Sequence, residues 1–268
     1  MLSAAAAPYV QGQIAPAPSG DVLRGLRGHR AYMSYKLDLP PNAGLAASTA
    51  QRVVWVALQR VAIANTADRQ EVARAAAGVD AALDDGAGAA DAYACALGGI
   101  TFCQGGETTL AESIHVPPAF LHGLGALLTY TGPAPPVRTL QLGVQQRLEN
   151  KGTDAKAALD SMKELARHMR DVFVAKNVEQ VFEDLNSHWQ AQKRLVEGIS
   201  SPAVDDILTY AFLHGAAAGK LCGAGGGGFL LLLTHPDRRP SLKAALLLRR
   251  LHTIDLAFDS YGVQVSRG

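Results

Sequence analysis

Two stretches of small residues carry the chemistry. Five glycines and one alanine fill positions Gly223 to Gly228, and the apolar run Phe229–Leu233 follows at once. Glycine in an ordinary strand or helix costs roughly 0.5–1 kcal/mol against alanine, so such a run needs a reason. A turn needs one or two glycines, and a flexible linker would not sit flush against FLLLL. The run makes sense where backbone must approach another backbone or a ligand closely, with several residues free to take positive φ. The second stretch, PPNAGLAASTA from Pro40 to Ala50, lies between a strand pattern and a helix pattern. Strand, small-residue loop, helix is the order that builds an anion site, because loop amides and the helix N-terminus point the same way. Standing alone, it reads equally well as a tight strand-to-helix turn.

Neither loop fits the commoner nucleotide signatures. No Gly-Lys-Ser/Thr follows the glycines, which excludes a Walker A loop. A dinucleotide fingerprint has its strand before the glycines and a helix after them, and here the strand comes after.

The elements around these loops follow from periodicity. Ala31 to Leu39 roughly alternates apolar and polar residues, the pattern of a strand with one buried face. A helix follows the 40–50 loop. Asp68, with Glu71 three residues later, resembles a capping box that starts a second helix reaching Ala82. DAYACALGGITFCQGG reads as a short helical turn, a Gly-Gly break and a strand. GALLTYTG, from Gly125 to Gly132, reads as a buried strand. Residues 154–174, Asn177 to Leu195 and Pro202 to Ala217 read as three helices, the last leading into the glycine run. An Ala/Leu-rich helix is expected near Leu242 to His252, and VQVS at the tail has an edge-strand pattern. Helices and strands do not alternate regularly, which favours α+β over a doubly wound sheet. The expected organisation is a poorly ordered Ala/Pro/Gly/Ser lead-in over 1–22, an N-terminal part over 23–120 and a C-terminal part over 121–268.

Composition excludes several functions. The 268 residues are 48% hydrophobic and 18% charged, with 25 basic and 24 acidic residues giving a net charge of +1. That balance gives no reason to expect nucleic acid or a membrane surface as partner. Aromatics at 6% offer no stacking platform for single strands. Cys95, Cys103 and Cys222 are too few and scattered for a disulfide framework or zinc site, so a reducing, cytoplasmic setting is expected. The start MLSAAAAPYVQGQ has no basic n-region, which argues against a secretory signal.

Three motifs, in order, resemble the GHMP kinase superfamily. GAGGGGF, preceded by GISSPAVDDI, resembles its third motif. PPNAGLAASTA is similar to its second, the phosphate loop P-P-x-S/A-G-L-G-S-S-S/T-A. GAADAYACALGGI is similar to the Gly-x-Gln-Asp-Gln-Tyr segment of the branch holding heptose-7-phosphate kinases and fucokinase-like sugar kinases. LLTYTG and the stretch from HWQAQKRL to GISSP also match that branch, so the resemblance covers residues 31–265.

The resemblance implies a two-part α+β fold, an N-terminal ribosomal S5 domain 2-like part and a ferredoxin-like C-terminal part, with the site between them. It implies ATP and Mg2+ as cofactors, and transfer of phosphate to a hydroxyl of a sugar or sugar phosphate, the anomeric one by analogy with the branch. Asn42, Ala43, Gly44, Leu45, Ala46, Ala47 and Ser48 would wrap the nucleotide phosphates with their amides, joined by Gly223, Gly225, Gly226 and Gly227. Ser48 and Asp80 would reach the magnesium ion, Asp80 standing where the family normally has Glu. Asp91 would orient or deprotonate the acceptor hydroxyl. The partner is a small molecule, and a homo-oligomer is left open. Read alone, Ser48 is a helix-start residue, Asp80 a solvated helix-end charge and Asp91 an N-cap. Lys220 reads as a helix-end cation, His188 and His214 as surface or packing residues.

Departures from the family pattern keep a second reading open. Ala46 and Ala47 replace Gly-Ser, and Ala90 and Ala92 replace the glutamines flanking the aspartate. The Pro-Gly-Arg-like first motif is not found in residues 1–39. A start codon assigned too late, a degraded relative, or a kinase that holds its acceptor differently each account for that. The alternative function is therefore a GHMP-like protein that binds nucleotide or sugar without turnover.

Overall fold

A strand covered on both faces reads as an unbroken apolar run. Phe229–Leu233 is such a strand, with four of its five residues buried. The computed structural model describes residues 2–4, 6–7, 10–16, 23–26, 29–37, 43–64, 68–83, 88–105, 109–150 and 152–265, with side chains from residue 43 onward except 62–64. In chain order the elements are β1 (Leu2–Ala4), β2 (Ala6–Ala7), β3 (Val10–Pro16), β4 (Leu23–Leu26), β5 (His29–Leu37), α1 (Ala47–Ala64), α2 (Arg69–Leu83), α3 (Ala89–Leu97), β6 (Ile100–Gln104), β7 (Leu110–Ile114), α4 (Pro118–Gly123), β8 (Leu127–Tyr130), α5 (Val137–Glu149), α6 (Thr153–Ala175), α7 (Val178–Lys193), α8 (Pro202–Leu213), β9 (Ala218–Leu221), β10 (Phe229–Leu233), α9 (Arg239–Leu248), β11 (Thr253–Asp255) and β12 (Ala257–Phe258). This is an α+β chain. It divides into one unit of residues 1–2, 40–45 and 114–258, and another of 3–39, 46–113 and 259–268.

The first unit is built on an antiparallel sheet in the order β11-β8-β10-β9. β10 is central, pairing Leu231 with Leu128 on one side and Lys220 on the other. Its core joins Leu127, Leu221, Leu230 and Leu232 of the sheet to Trp189, Leu208, Leu242 and Leu246 of the helices. Caps fix where the helices begin. The Asn177 side chain accepts from the Gln180 amide at 3.2 Å, starting α7. Ser201 accepts from Val204 at 3.3 Å, with Pro202 at the first position of α8.

One helix is shorter than its pattern predicts. The stretch expected to stay helical to Ala217 stops at Leu213, and β9 intervenes before the glycines. Gly215 at φ 103° lets the chain reverse there. Lys220 is therefore a strand residue rather than a helix-end cation.

The second unit packs α1, α2 and α3 through small residues. Val53, Ala57, Val72, Ala73, Ala76, Ala92 and Ala96 are all fully buried or nearly so. The expected cap is present: the Glu71 amide donates to the Asp68 carboxylate at 2.9 Å. β5 is the middle of a β3-β5-β4 antiparallel sheet.

Two expectations change in this unit. Composition points to an irregular lead-in over 1–22, yet β1, β2 and β3 lie there, and β3 pairs with β5 from Val10–Leu37 to Pro16–Ala31. Alternation in Val10-Gln11-Gly12-Gln13-Ile14 supplies a strand pattern that the Ala/Pro/Gly content hides. The tail around Val263–Val265 forms no strand. Its Val263 amide donates to the Ala96 carbonyl at 3.1 Å, closing the end of α3 instead of joining a sheet. Both valines pack on the second core.

Leu230 is fully buried in the central strand. Leu230→Ala should lower the stability of the unit holding it by about 2–5 kcal/mol, the usual cost of a large-to-small core change. Urea unfolding followed by tryptophan fluorescence, with Trp189 in the same core, reads this directly.

Candidate functional site

The glycine run is the tip of the β9–β10 hairpin. The Cys222 amide donates to the Phe229 carbonyl at 2.9 Å, closing the loop behind Gly223–Gly228. What it closes against is the other small-residue stretch. The Phe229 amide donates to the Ala43 carbonyl at 3.0 Å. A Cβ on Gly228 would lie 2.5 Å from that same oxygen, and Gly228 has φ 86°. On the other side, a Cβ on Gly44 would meet the Cys222 carbonyl at 3.3 Å. The two loops thus meet backbone to backbone, which no side chain at Gly228 would permit. Ala224, the one residue of the run with a Cβ, is also the one outside the positive-φ set.

Hydrogen bonds sort the loop amides. Gly226 donates to Ile199 at 2.8 Å and Gly228 to Gly132 at 2.7 Å. The amides of Gly223, Ala224, Gly225 and Gly227 meet no acceptor among the described residues, and neither do those of Gly44, Leu45 and Ala46. Directly after these begins α1, whose first-turn amides have no intrahelical acceptor. Rows of open N–H groups of this kind bind anionic oxygen. Ala43 is buried and Ser48, the second residue of α1, is exposed. Asn42 lies outside the described residues.

The second unit carries a carboxylate cluster. Asp80 is 1% exposed, in the interior of α2 rather than at a solvated helix end. The Arg52 guanidinium on α1 donates to its Oδ1, while its Oδ2 is buried without a partner among the described residues. Asp91 sits in the first turn of α3, where its amide donates to Gly88 at 3.0 Å. Burial, reinforced by the Asp80 charge, pushes its pKa up to about 6, against a pull down from a backbone bond at Gly88. One turn on, burial and then the two aspartates push the Cys95 thiol up to about 12, so it stays protonated. Among the described residues no three His, Cys, Asp or Glu side chains group as a metal site. A lone buried carboxylate oxygen does fit a hard cation held chiefly by phosphate oxygens.

Residues 155–251 match the family described as GHMP kinases C terminal. This segment is similar to the C-terminal domain of GHMP kinases. The chain is 24% identical over 217 residues to the mevalonate kinase of Pyrococcus furiosus, covering 80% of this chain and 62% of that protein. It is 24% identical over 183 residues to the D-glycero-alpha-D-manno-heptose 7-phosphate kinase of Campylobacter jejuni, covering 66% and 53%. The chain thus spans less than two thirds of the length of these curated relatives. A solved D-glycero-D-manno-heptose 1-phosphate kinase from Bacteroides thetaiotaomicron superposes with TM-score 0.73 at 17% identity, covering 100% of this chain and 90% of that one. The α+β architecture is the GHMP kinase fold.

Within that fold, sequence reasoning missed two residues, Arg52 and Gln192. Arg52 follows Ser48 by four positions on α1, so helical spacing places both on one face, a signal that was available. Gln192 is 5% exposed, and its amide Nε2 donates to the carbonyls of Gly223 at 3.1 Å and Ala224 at 3.3 Å. No local pattern marks it. His188 is held neutral, its pKa pushed down to about 3 by burial and then by the Lys220 charge. Burial lowers the Lys220 pKa as well. His214 is exposed, with Nδ1 2.8 Å from the Tyr210 carbonyl, a surface residue as expected.

The substitution of Ala for Gly at position 46 has a visible consequence. Ala46 has φ 52°, in the left-handed region that penalises a Cβ. Ala46→Gly should raise stability by about 1 kcal/mol, net of the extra unfolded-state entropy. Differential scanning calorimetry checks the sign.

Asp91 gives a pH signature. Its folded pKa lies above the unfolded value of 3.8, so protonation favours the folded state, and stability is lost as pH rises from about 4 through about 6. Asp91→Asn should therefore melt higher than wild type at pH 7.5, and the gap should close as pH falls to 4.

Proposed function

We propose that this chain is an ATP-dependent kinase that phosphorylates a hydroxyl of a small sugar or sugar phosphate of the heptose-7-phosphate or fucose type. The observation that carries the reading is the set of open amides on two loops that pack backbone to backbone, Gly44–Ala46 and Gly223–Gly227. A polyphosphate is the ligand whose oxygens match that many N–H donors. Bound ATP would supply the transferable phosphoryl group, and Mg2+ would neutralise charge on it. Ser48 and Asp80 are the oxygen donors offered to the metal, with Arg52 holding Asp80 in place.

Asp91 is the residue for the acceptor. A carboxylate whose pKa is near 6 is largely ionised at pH 7 yet basic enough to take a hydroxyl proton in the transition state. The α3 N-terminus and the burial around it hold that carboxylate in one place, which is most of what phosphoryl transfer asks of a protein. A reaction drawing on ATP suits a cytoplasmic setting. Its relatives named for mevalonate and for heptose 7-phosphate make both acceptors candidates, and sugar phosphates are favoured by the motif branch.

The second reading, binding without turnover, draws on the Arg52–Asp80 pair. A carboxylate already neutralised by a guanidinium is a weaker metal ligand.

A coupled ADP-release assay with Mg-ATP and a panel of heptose 7-phosphate, fucose and mevalonate separates the two. Turnover is expected with a sugar phosphate. Asp91→Asn should lower kcat by about 10²–10⁴-fold, the range for a lost general base, while ATP still raises the melting temperature. If wild type turns over no acceptor and ATP still shifts melting, the binding reading stands. If neither ATP nor any sugar of the panel shifts melting, neither reading survives.

A further inference from the structure

The glycine-rich loop has a side-chain clamp. Two of its peptide planes are fixed by main-chain partners, through Gly226 N–H to Ile199 and Gly228 N–H to Gly132. Two more, Gly223–Ala224 and Ala224–Gly225, are fixed by one side chain, because Gln192 Nε2 donates to both of their carbonyls. In a trans peptide the C=O and N–H point in opposite directions. Holding the Gly223 and Ala224 oxygens toward α7 therefore aims the Ala224 and Gly225 amides the other way. Those are two of the four loop amides with no acceptor among the described residues. The Gln192 orientation is forced, since turning the amide over would set Oε1 against two carbonyl oxygens. Oε1 itself is buried with no partner among the described residues, so no other bond described there accounts for the placement of this side chain.

Resting on the kinase reading above, we infer that Gln192 is a positioning residue that aims the Ala224 and Gly225 amides at the nucleotide phosphates. It touches no reacting atom. Glycines make the loop able to take its shape, and Gln192 selects which faces of two peptides are offered.

Gln192→Met keeps an unbranched side chain of similar size and removes the donors. Calorimetric titration with ATP should show binding weakened about tenfold, the scale expected when two pre-aimed charge-assisted hydrogen bonds become free to rotate. Unliganded melting should stay close to wild type. Gln192→Glu supplies a second variant and a pH readout that a packing role would not move. As carboxylate it cannot donate, and as carboxylic acid it donates once. The affinity ratio of wild type to Gln192→Glu should therefore shrink between about pH 8 and about pH 5. Should Gln192→Met fail to fold, the Glu variant carries the test alone. Equal ATP affinity in wild type and Gln192→Met, or a pH-independent ratio for the Glu variant, overturns the clamp while leaving the kinase reading intact. A wild type that binds no ATP overturns both.

Discussion

The whole arrangement depends on one close approach, the Phe229 amide against the Ala43 carbonyl, with Gly228 bare beside it. This contact ties the tip of the β9–β10 hairpin to the Ala43–Leu45 segment of the same unit. Glycine at so many consecutive positions is entropically expensive, about 0.5–1 kcal/mol each. The expense is tolerated because the flanking strands are anchored independently. Leu221, Leu230 and Leu232 are fully buried on either side of the loop, and burial of one such side chain is worth about 1.5–3 kcal/mol. The rigid core thus holds a loop whose own residues contribute almost no packing.

Electrostatics in the second unit follow a different logic. Two aspartates interact here from different surroundings. Asp80 has the Arg52 guanidinium on one oxygen. Asp91 has no such cation among the described residues, and burial plus the Asp80 charge raise its pKa. On the kinase reading, Asp91 would be the group able to exchange a proton near neutrality. Arg52 supports Asp80, because a buried carboxylate stripped of its cation partner is strongly destabilising.

Much of this was legible in the sequence, for identifiable reasons. Strands with strong apolar runs and helices with caps announce themselves locally: Phe229–Leu233, α6, α7 and the Asp68–Glu71 cap all follow from pattern. The glycine run announces a close approach without saying to what. That Ala43 is the partner depends on tertiary contact, and only the family resemblance placed the two loops together in advance. β9 was hidden because Ala218-Gly219-Lys220-Leu221 has neither alternation nor branched residues; its neighbour β10 makes it a strand. α5 was hidden behind a proline-rich spacer. Asp80 looked like a helix-end charge because α1 and Arg52, which bury it, are remote in sequence. Gln192 carries no local signal at all, since glutamine on a helix is ordinary until its two carbonyl acceptors are known.

The even charge balance bears on how such a site would hold a polyanion. With a net charge of +1, the chain has no large positive field to gather phosphate from a distance. Affinity must then reside in short-range dipoles already pointing the right way. Backbone amides are such dipoles, but in a glycine-rich segment they rotate freely unless something stops them. Main-chain partners at Ile199 and Gly132 stop two planes, and one buried side chain stops two others. On the kinase reading, orientation of neutral groups, rather than accumulation of lysine and arginine, would be how a chain of near-zero net charge recognises phosphate.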